Sequence, residues 1–352
     1  MHGDELVSDT DVCGMNICED DTPEHRVSIK RRAQLRIRMR KQRRLIFCVI
    51  ACVSLVVAAA FLTAVKLNKN GIFSRSRRSE YLRGSVPVYG APFNENFVAS
   101  KATHLIIVAG HSVLIGNGEN ALDESAWHLL DYQRGQGLPD AIVGHITAGI
   151  SEAARDPQSL LVFSGGETRG DGTAPYSESS SYFRAADALN LWMNEGIDAG
   201  SNARSRTVTE EFATDSFENM IFSICRFKEV TGHYPTYITI VSFSFKEQRF
   251  VKLHASALKW PRSRLRYIGK DAPSSTGFDV EMAQLGEQEN SVRHFEKDPY
   301  GCHTFELQQK RTIRNPFKRR APYELSCPEI NGLLKWCGPD LYKKKLPWSD
   351  LN

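Results

Sequence analysis

Leu160-Leu-Val-Phe-Ser-Gly-Gly166 is an apolar run that halts at a serine and turns on two glycines. A short run with no polar alternation is a strand buried on both faces, the signature of a parallel sheet covered by helices. The pattern recurs as Leu105-Ile-Ile-Val-Ala-Gly110 before His111, Thr207-Val-Thr-Glu-Glu211 before Phe212, and Ile238-Thr-Ile-Val-Ser-Phe-Ser244 before Phe245. Stretches of helical spacing separate these runs. One starts at Pro139 and carries Ile142, Ile146 and Ile150; another, 177–195, carries Phe183, Ala186, Leu189 and Trp192. Residues 216–230, 246–260 and 281–297 read the same way, Asp123 is placed to cap a helix through Trp127 and Leu130, and 265–269 reads as an edge strand. Strand, polar loop and helix in repetition predict an α/β domain over 101–298. The expected architecture is a three-layer α/β/α Rossmann-like sandwich around a mostly parallel sheet of about five strands. Loops and helix amino ends converge only at the carboxyl edge of such a sheet, so the candidate site lies there.

With 41% hydrophobic residues among 352, the chain is too apolar for wholesale disorder, and its net charge of +4 conceals a polarised amino terminus. Asp4, Glu5, Asp9, Asp11, Glu19, Asp20, Asp21 and Glu24 precede a basic run from Lys30 to Arg44, and residues 1–44 read as a disordered cytosolic tail. Within the segment 45–67 the uncharged run from Leu45 to Val65 reaches about 30 Å as a helix, the thickness of a bilayer core. Its basic flank keeps the amino terminus cytosolic, so one transmembrane signal-anchor helix of type II topology is expected, with the main domain lumenal. The expected location is a secretory-pathway membrane, Golgi or endoplasmic reticulum. Residues 68–100 read as a stem, in which Arg75-Ser-Arg-Arg78 is either a furin-type cleavage site or simply membrane-proximal basic charge.

Cys13 and Cys18 lie in the tail and Cys48 and Cys52 in the span. Cys225, Cys302, Cys327 and Cys337 lie beyond it, where they form two disulfides or remain buried thiols. The absence of any Asn-x-Ser/Thr sequence excludes an N-glycosylated ectodomain. From 299 to 352 prolines break the periodicity, and Lys310, Arg311, Arg314, Lys318, Arg319 and Arg320 make an irregular basic extension, read as a solvated wrap over the domain. Nucleic acid is excluded as a partner, since no recognition-helix motif or base-stacking series accompanies the positive charge.

Ser164-Gly165-Gly166 lets backbone N–H groups approach an anion, and Gly110-His111-Ser112 follows the same logic, with His111 as a candidate general base. In Glu211-Phe-Ala-Thr-Asp-Ser-Phe-Glu-Asn219, capping explains Thr214, Asp215, Ser216 and Glu218 but leaves Glu211 and Asn219 unexplained.

Taken in order, Ser164-Gly165-Gly166, Ser177-Glu178, Glu211-x-x-Thr-x-Ser216-x-Glu-Asn219 and Ser242-Phe-Ser-Phe-Lys246-Glu-Gln-Arg249 resemble the YdcF-like family. That family includes the SanA and ElyC envelope proteins of bacteria, and the chain is similar to its fungal branch over about residues 103–270. The resemblance implies a Rossmann-like domain, often tethered by one membrane helix, with a polar pocket lined by Gly110, Ser164, Gly165, Gly166, Glu178, Glu211, Ser216, Asn219, Ser242 and Arg249. The family's usual histidine is replaced here by Lys246, so a mechanism that needs an imidazole there requires His111 to substitute from across the pocket.

Two functions are expected. In the first, the lumenal domain binds or processes a phosphate-bearing small molecule, a nucleotide conjugate or lipid-phosphate carrier of glycan or envelope metabolism. Glu211, Glu178 and His111 would do acid-base or metal-holding work, with Lys246 and Arg249 supplying charge. In the second, the protein is a non-catalytic membrane-anchored interaction factor of the secretory pathway. No cofactor is assigned.

Overall fold

A computed structural model of the chain describes residues 99–170, 176–193 and 203–351. The expected tail (1–44), membrane helix (45–67) and stem (68–100, apart from its last two residues) lie outside the described residues. Among the described residues no helix is long and apolar enough to cross a membrane.

Five parallel strands, β1 (His104–Ala109), β2 (Ser159–Ser164), β3 (Thr207–Glu210), β4 (Tyr237–Ser242) and β5 (Leu265–Gly269), form one sheet in the order β3-β2-β1-β4-β5. The α/β class and the five-stranded parallel sheet are thus as expected. The chain steps outward from β1 through β2 to β3, then returns to start β4 on the other flank of β1. The loops after β1 and β4 therefore leave in opposite directions, which opens a crevice between their carboxyl ends.

Helices α1 (Leu138–Arg155), α2 (Glu178–Ala188) and α3 (Ser216–Thr231) cover the sheet. Ile106, Val108, Leu161 and Phe163 pack with α1 and α2, whereas Leu105, Ile107, Leu160 and Val162 pack with α3. Alternate residues of one strand feed opposite cores because successive Cβ atoms point to opposite faces. Pro139 sits in the first turn of α1, where no donor is needed, and Gly232, at φ 85°, closes α3 in the left-handed region.

Further on lie a π-helical stretch Arg249–His254 running into α4 (Ala255–Ala257), then α5 (Val280–Glu287), a second π-helical stretch Gln288–Val292, and α6 (Arg293–Lys297). The last helices are α7 (Phe305–Ile313), α8 (Tyr323–Ser326) and α9 (Asn331–Leu334). The helix expected after Asp123 does not form; two 3-10 turns stand there, because Trp127 is extended, bridges Leu114 and donates its indole N–H to Ala121 O at 2.8 Å. The helix expected over 177–195 ends at Ala188, two residues before Asn190 enters positive φ.

The segment past 298 is irregular but anchored. Tyr323, Cys327, Ile330, Leu333, Leu346 and Trp348 are all buried in the core against α3, and Trp348 Nε1 donates to Leu258 O at 2.7 Å. Cys302 and Cys337 form a disulfide, while Cys225 and Cys327 are buried free thiols.

Candidate functional site

At the end of β2 the glycines serve close packing. A Cβ added to Gly110 or Gly165 would lie 2.7 or 2.9 Å from Glu178 Cβ, so both glycines let the amino end of α2 dock on the strand ends. Their N–H groups, and that of Gly166, donate to main-chain carbonyls: Gly110 to Ser164 O at 2.7 Å, Gly165 to Glu210 O at 3.0 Å and Gly166 to Ala213 O at 2.7 Å. The donors that the sequence assigned to an anion are therefore engaged within the protein. Glu178, buried at the start of α2, accepts from Thr168 Oγ1 at 2.6 Å and stands beside Gly110 and Gly165.

Ser164 and Asn219 belong to a buried network centred on Glu210. The Glu210 carboxylate accepts from Ser164 Oγ at 2.8 Å, Phe212 N at 2.8 Å and Tyr323 O–H at 3.0 Å, while Asn219 Nδ2 donates to Ser164 O at 3.1 Å. Burial pushes the Glu210 carboxyl up to about 7 despite these donors. Sequence reading singles out Glu211, whose half-exposed side chain faces Arg319 at 3.9 Å. The signal for Glu210 is strand parity: Val208 points into the α3 core, so Glu210, two residues on, points to the same side.

Ser216, the first residue of α3, hydrogen-bonds His254 Nε2 at 2.7 Å. Asp215 caps this helix, accepting from Glu218 N at 2.9 Å, and it binds Arg311 Nε at 2.6 Å. Burial opposes the Asp215 charge, but Arg311 outweighs it and holds the carboxyl below its ordinary value.

The switch-point crevice holds His111, Ser242 and Lys246. Lys246 Nζ lies 3.3 Å from His111 Nδ1, and His111 Nε2 lies 3.2 Å from Ser242 Oγ. A charged Lys246 can only donate, so the imidazole accepts at Nδ1 and donates from Nε2 to the serine. Burial, then the Lys246 charge, push His111 well below the usual imidazole range, leaving it neutral. Burial and the neighbouring Arg249 and Arg314 lower Lys246 to about 7, although Glu287 and Glu178 act in the other direction. The ammonium also sits 5.0 Å from the Phe243 ring centre. Arg249 is buried against Glu287, with Nε 2.9 Å from Oε1.

The carboxy-terminal segment supplies further cations. Arg314 Nη1 donates to Thr214 O at 3.2 Å, Lys310 Nζ to Asn290 O at 2.7 Å, and Arg319 pairs with Glu167. Burial, Arg314 and Arg249 lower Lys310 to about 8. Among the described residues, Lys246, Lys310 and Arg314 have no carboxylate within 4.0 Å, and the strongest charged neighbours of Lys246 and Lys310 are cations. The structure thus gathers His111, Ser242, Lys246 and Arg249 on one side of the sheet edge, while Ser164 and Asn219 are held in the Glu210 network and Glu211 faces Arg319. No cluster of His, Cys, Asp and Glu suited to a metal occurs among the described residues.

No family model and no solved structure matches the chain. The chain is 30% identical over 266 residues to the uncharacterized protein YOR238W of Saccharomyces cerevisiae, a match covering 63% of this chain and 87% of the yeast protein. Agreement at that level covers nearly the whole yeast chain, and the chain therefore belongs to the same family as this yeast protein.

Proposed function

We propose that the domain binds or processes a phosphate-bearing small molecule, a nucleotide conjugate or lipid-phosphate carrier, at the carboxyl edge of its sheet. The observation that carries this reading is Lys246, a cation at the switch point with no carboxylate within 4.0 Å among the described residues, hydrogen-bonded to a neutral His111 and flanked by Arg249 and Arg314. Buried charges are paired in folded proteins, so cations that repel one another call for an anionic ligand. Phosphate suits the set because its oxygens accept several charge-assisted hydrogen bonds at once. Glu178 lies close enough to Lys246 to influence its proton, which supports acid-base work by Glu178, Lys246 and His111 at that site.

The YdcF-like resemblance and the parallel sheet with a switch-point crevice support a Rossmann-like domain of that family. The amino-terminal sequence supports a single type II membrane anchor at 45–67 that places the domain in the lumen of the Golgi or endoplasmic reticulum, in glycan or envelope metabolism. Titration calorimetry of the purified full-length chain with inorganic pyrophosphate tests the site; saturable binding abolished by Lys246→Met is expected. Binding that survives Lys246→Met would overturn the reading. Protease protection in sealed microsomes tests the topology, with residues beyond 67 expected to be shielded until detergent is added.

A further inference from the structure

Two of the cations without a carboxylate partner, Lys310 and Arg314, belong to a segment outside the sheet repeat, and that segment is closed on itself by the Cys302–Cys337 disulfide, 35 residues apart in sequence. It crosses the strand ends by a series of polar contacts. Arg311 binds Asp215 at 2.6 Å, Arg314 binds Thr214 O at 3.2 Å, and Tyr323 O–H donates to Glu210 at 3.0 Å. Each contact lands on the loop after β3 or on the strand itself. Lys310 Nζ donates to Asn290 O at 2.7 Å, three residues beyond Glu287, and Glu287 pairs at 2.9 Å with Arg249, three residues beyond Lys246, so the segment reaches the groups beside the switch-point crevice. The charged groups facing Lys310 are Arg314, Arg249, Asp215 and Glu287, of which Asp215 is neutralised by Arg311 and Glu287 by Arg249. What remains across the gap is positive charge on both sides.

Resting on the anion-binding reading above, we infer that the disulfide-closed segment is the second wall of the ligand site, a covalent strap whose Lys310 and Arg314 grip the anionic group from the side opposite Lys246. The ligand class is correspondingly an anion with oxygens exposed on two sides, such as a diphosphate. A strap secured by a disulfide also makes affinity depend on an oxidised Cys302–Cys337 bond.

The test is calorimetric titration of the full-length chain with inorganic pyrophosphate, using the variants Lys310→Met/Arg314→Met and Cys302→Ser/Cys337→Ser. Lys343→Met, an exposed position paired only with Asp340, serves as the control for lost charge. Weakening of about tenfold or more is expected for the Lys310/Arg314 variant, the scale of lost charge-assisted hydrogen bonds, with Lys343→Met unchanged. The cysteine variant should weaken binding in the same direction. If Lys246→Met abolishes binding while the Lys310/Arg314 variant binds like wild type, the strap inference falls and the anion site stands. If Lys343→Met weakens binding as much, the effect is long-range charge and the strap is again refuted. Failure of wild type to bind pyrophosphate would overturn both. Should the cysteine variant fail to fold, the Lys310/Arg314 variant decides alone.

Discussion

Lys246 Nζ and His111 Nδ1 stand 3.3 Å apart, so the loops after β4 and β1 meet across the switch point through this hydrogen bond, beside the one from His111 Nε2 to Ser242 Oγ. Two groups that are both cationic when protonated share one proton's space, and that conflict sets the charge state of the crevice.

Replacing Lys246 by methionine should separate stability from function. The Lys246 ammonium titrates near 7 in the fold, below the ordinary lysine value of 10.5. Between those values the unfolded chain holds the proton and the folded chain does not, so this group makes stability rise with pH across the window and penalises the fold fully below it. Lys246→Met should therefore raise the unfolding free energy of the ligand-free protein at pH 6 by about 1–2 kcal/mol, as replacement of poorly compensated buried charge does. A denaturant titration at pH 6 that finds the variant less stable would contradict this.

Anion affinity should depend on the same proton. Pyrophosphate affinity should fall as pH rises through about 7, where Lys246 discharges, with proton uptake on binding near neutrality. Calorimetry in two buffers of different ionisation enthalpy measures that uptake. An affinity that is flat from pH 6 to 8 would show that Lys246 does not contact the anion.

Glu210 should behave as a structural acid. Its carboxyl is raised from 4.5 to about 7, so the stability it contributes is complete below 4.5 and is lost as pH rises through about 7. Glu210→Gln should remove this pH dependence while keeping most of the network. Glu210→Ala leaves Ser164 Oγ, Phe212 N–H and Tyr323 O–H without their acceptor and should cost about 3 kcal/mol, since each orphaned polar group costs about 1–3 kcal/mol. Thermal melts of the two variants from pH 4 to 8 distinguish these outcomes.

Two glycines should respond with opposite signs to the same methyl group. Gly110→Ala brings Cβ to 2.7 Å from Glu178 Cβ and should destabilise the fold by about 1–3 kcal/mol through forced movement of α2. Gly144, inside α1, has open space around its added Cβ, and Gly144→Ala should stabilise by about 0.5–1 kcal/mol. Equal effects in denaturant unfolding would refute the packing account.

Cys225 should be chemically silent in the native state. Burial, and then its neighbour Cys327, push the Cys225 thiol well above its ordinary range, and only the thiolate is reactive. Iodoacetamide followed by mass spectrometry should modify Cys225 and Cys327 only after unfolding.

Apolar runs such as Leu160–Phe163 and Ile238–Val241 are sufficient to place four strands and the sheet's parallel character, because strands buried on both faces must be continuously apolar. The helix starts at Pro139 and Ser216 are equally legible, since proline and capping residues act within one turn of themselves. Trp127 has helical spacing in the sequence yet is extended in the fold, because its bridge to Leu114 and its hydrogen bond to Ala121 depend on tertiary packing rather than local spacing.

Local sequence was enough for the layered α/β plan and for the residue types at the strand ends, because periodicity and capping are short-range effects of the backbone. It is the closed fold that engages the glycine N–H groups with carbonyls, buries Glu210 rather than Glu211, and brings Lys246 to His111. Those pairings join residues tens of positions apart, and their energies come from burial and charge proximity, which exist only once the chain has closed over them.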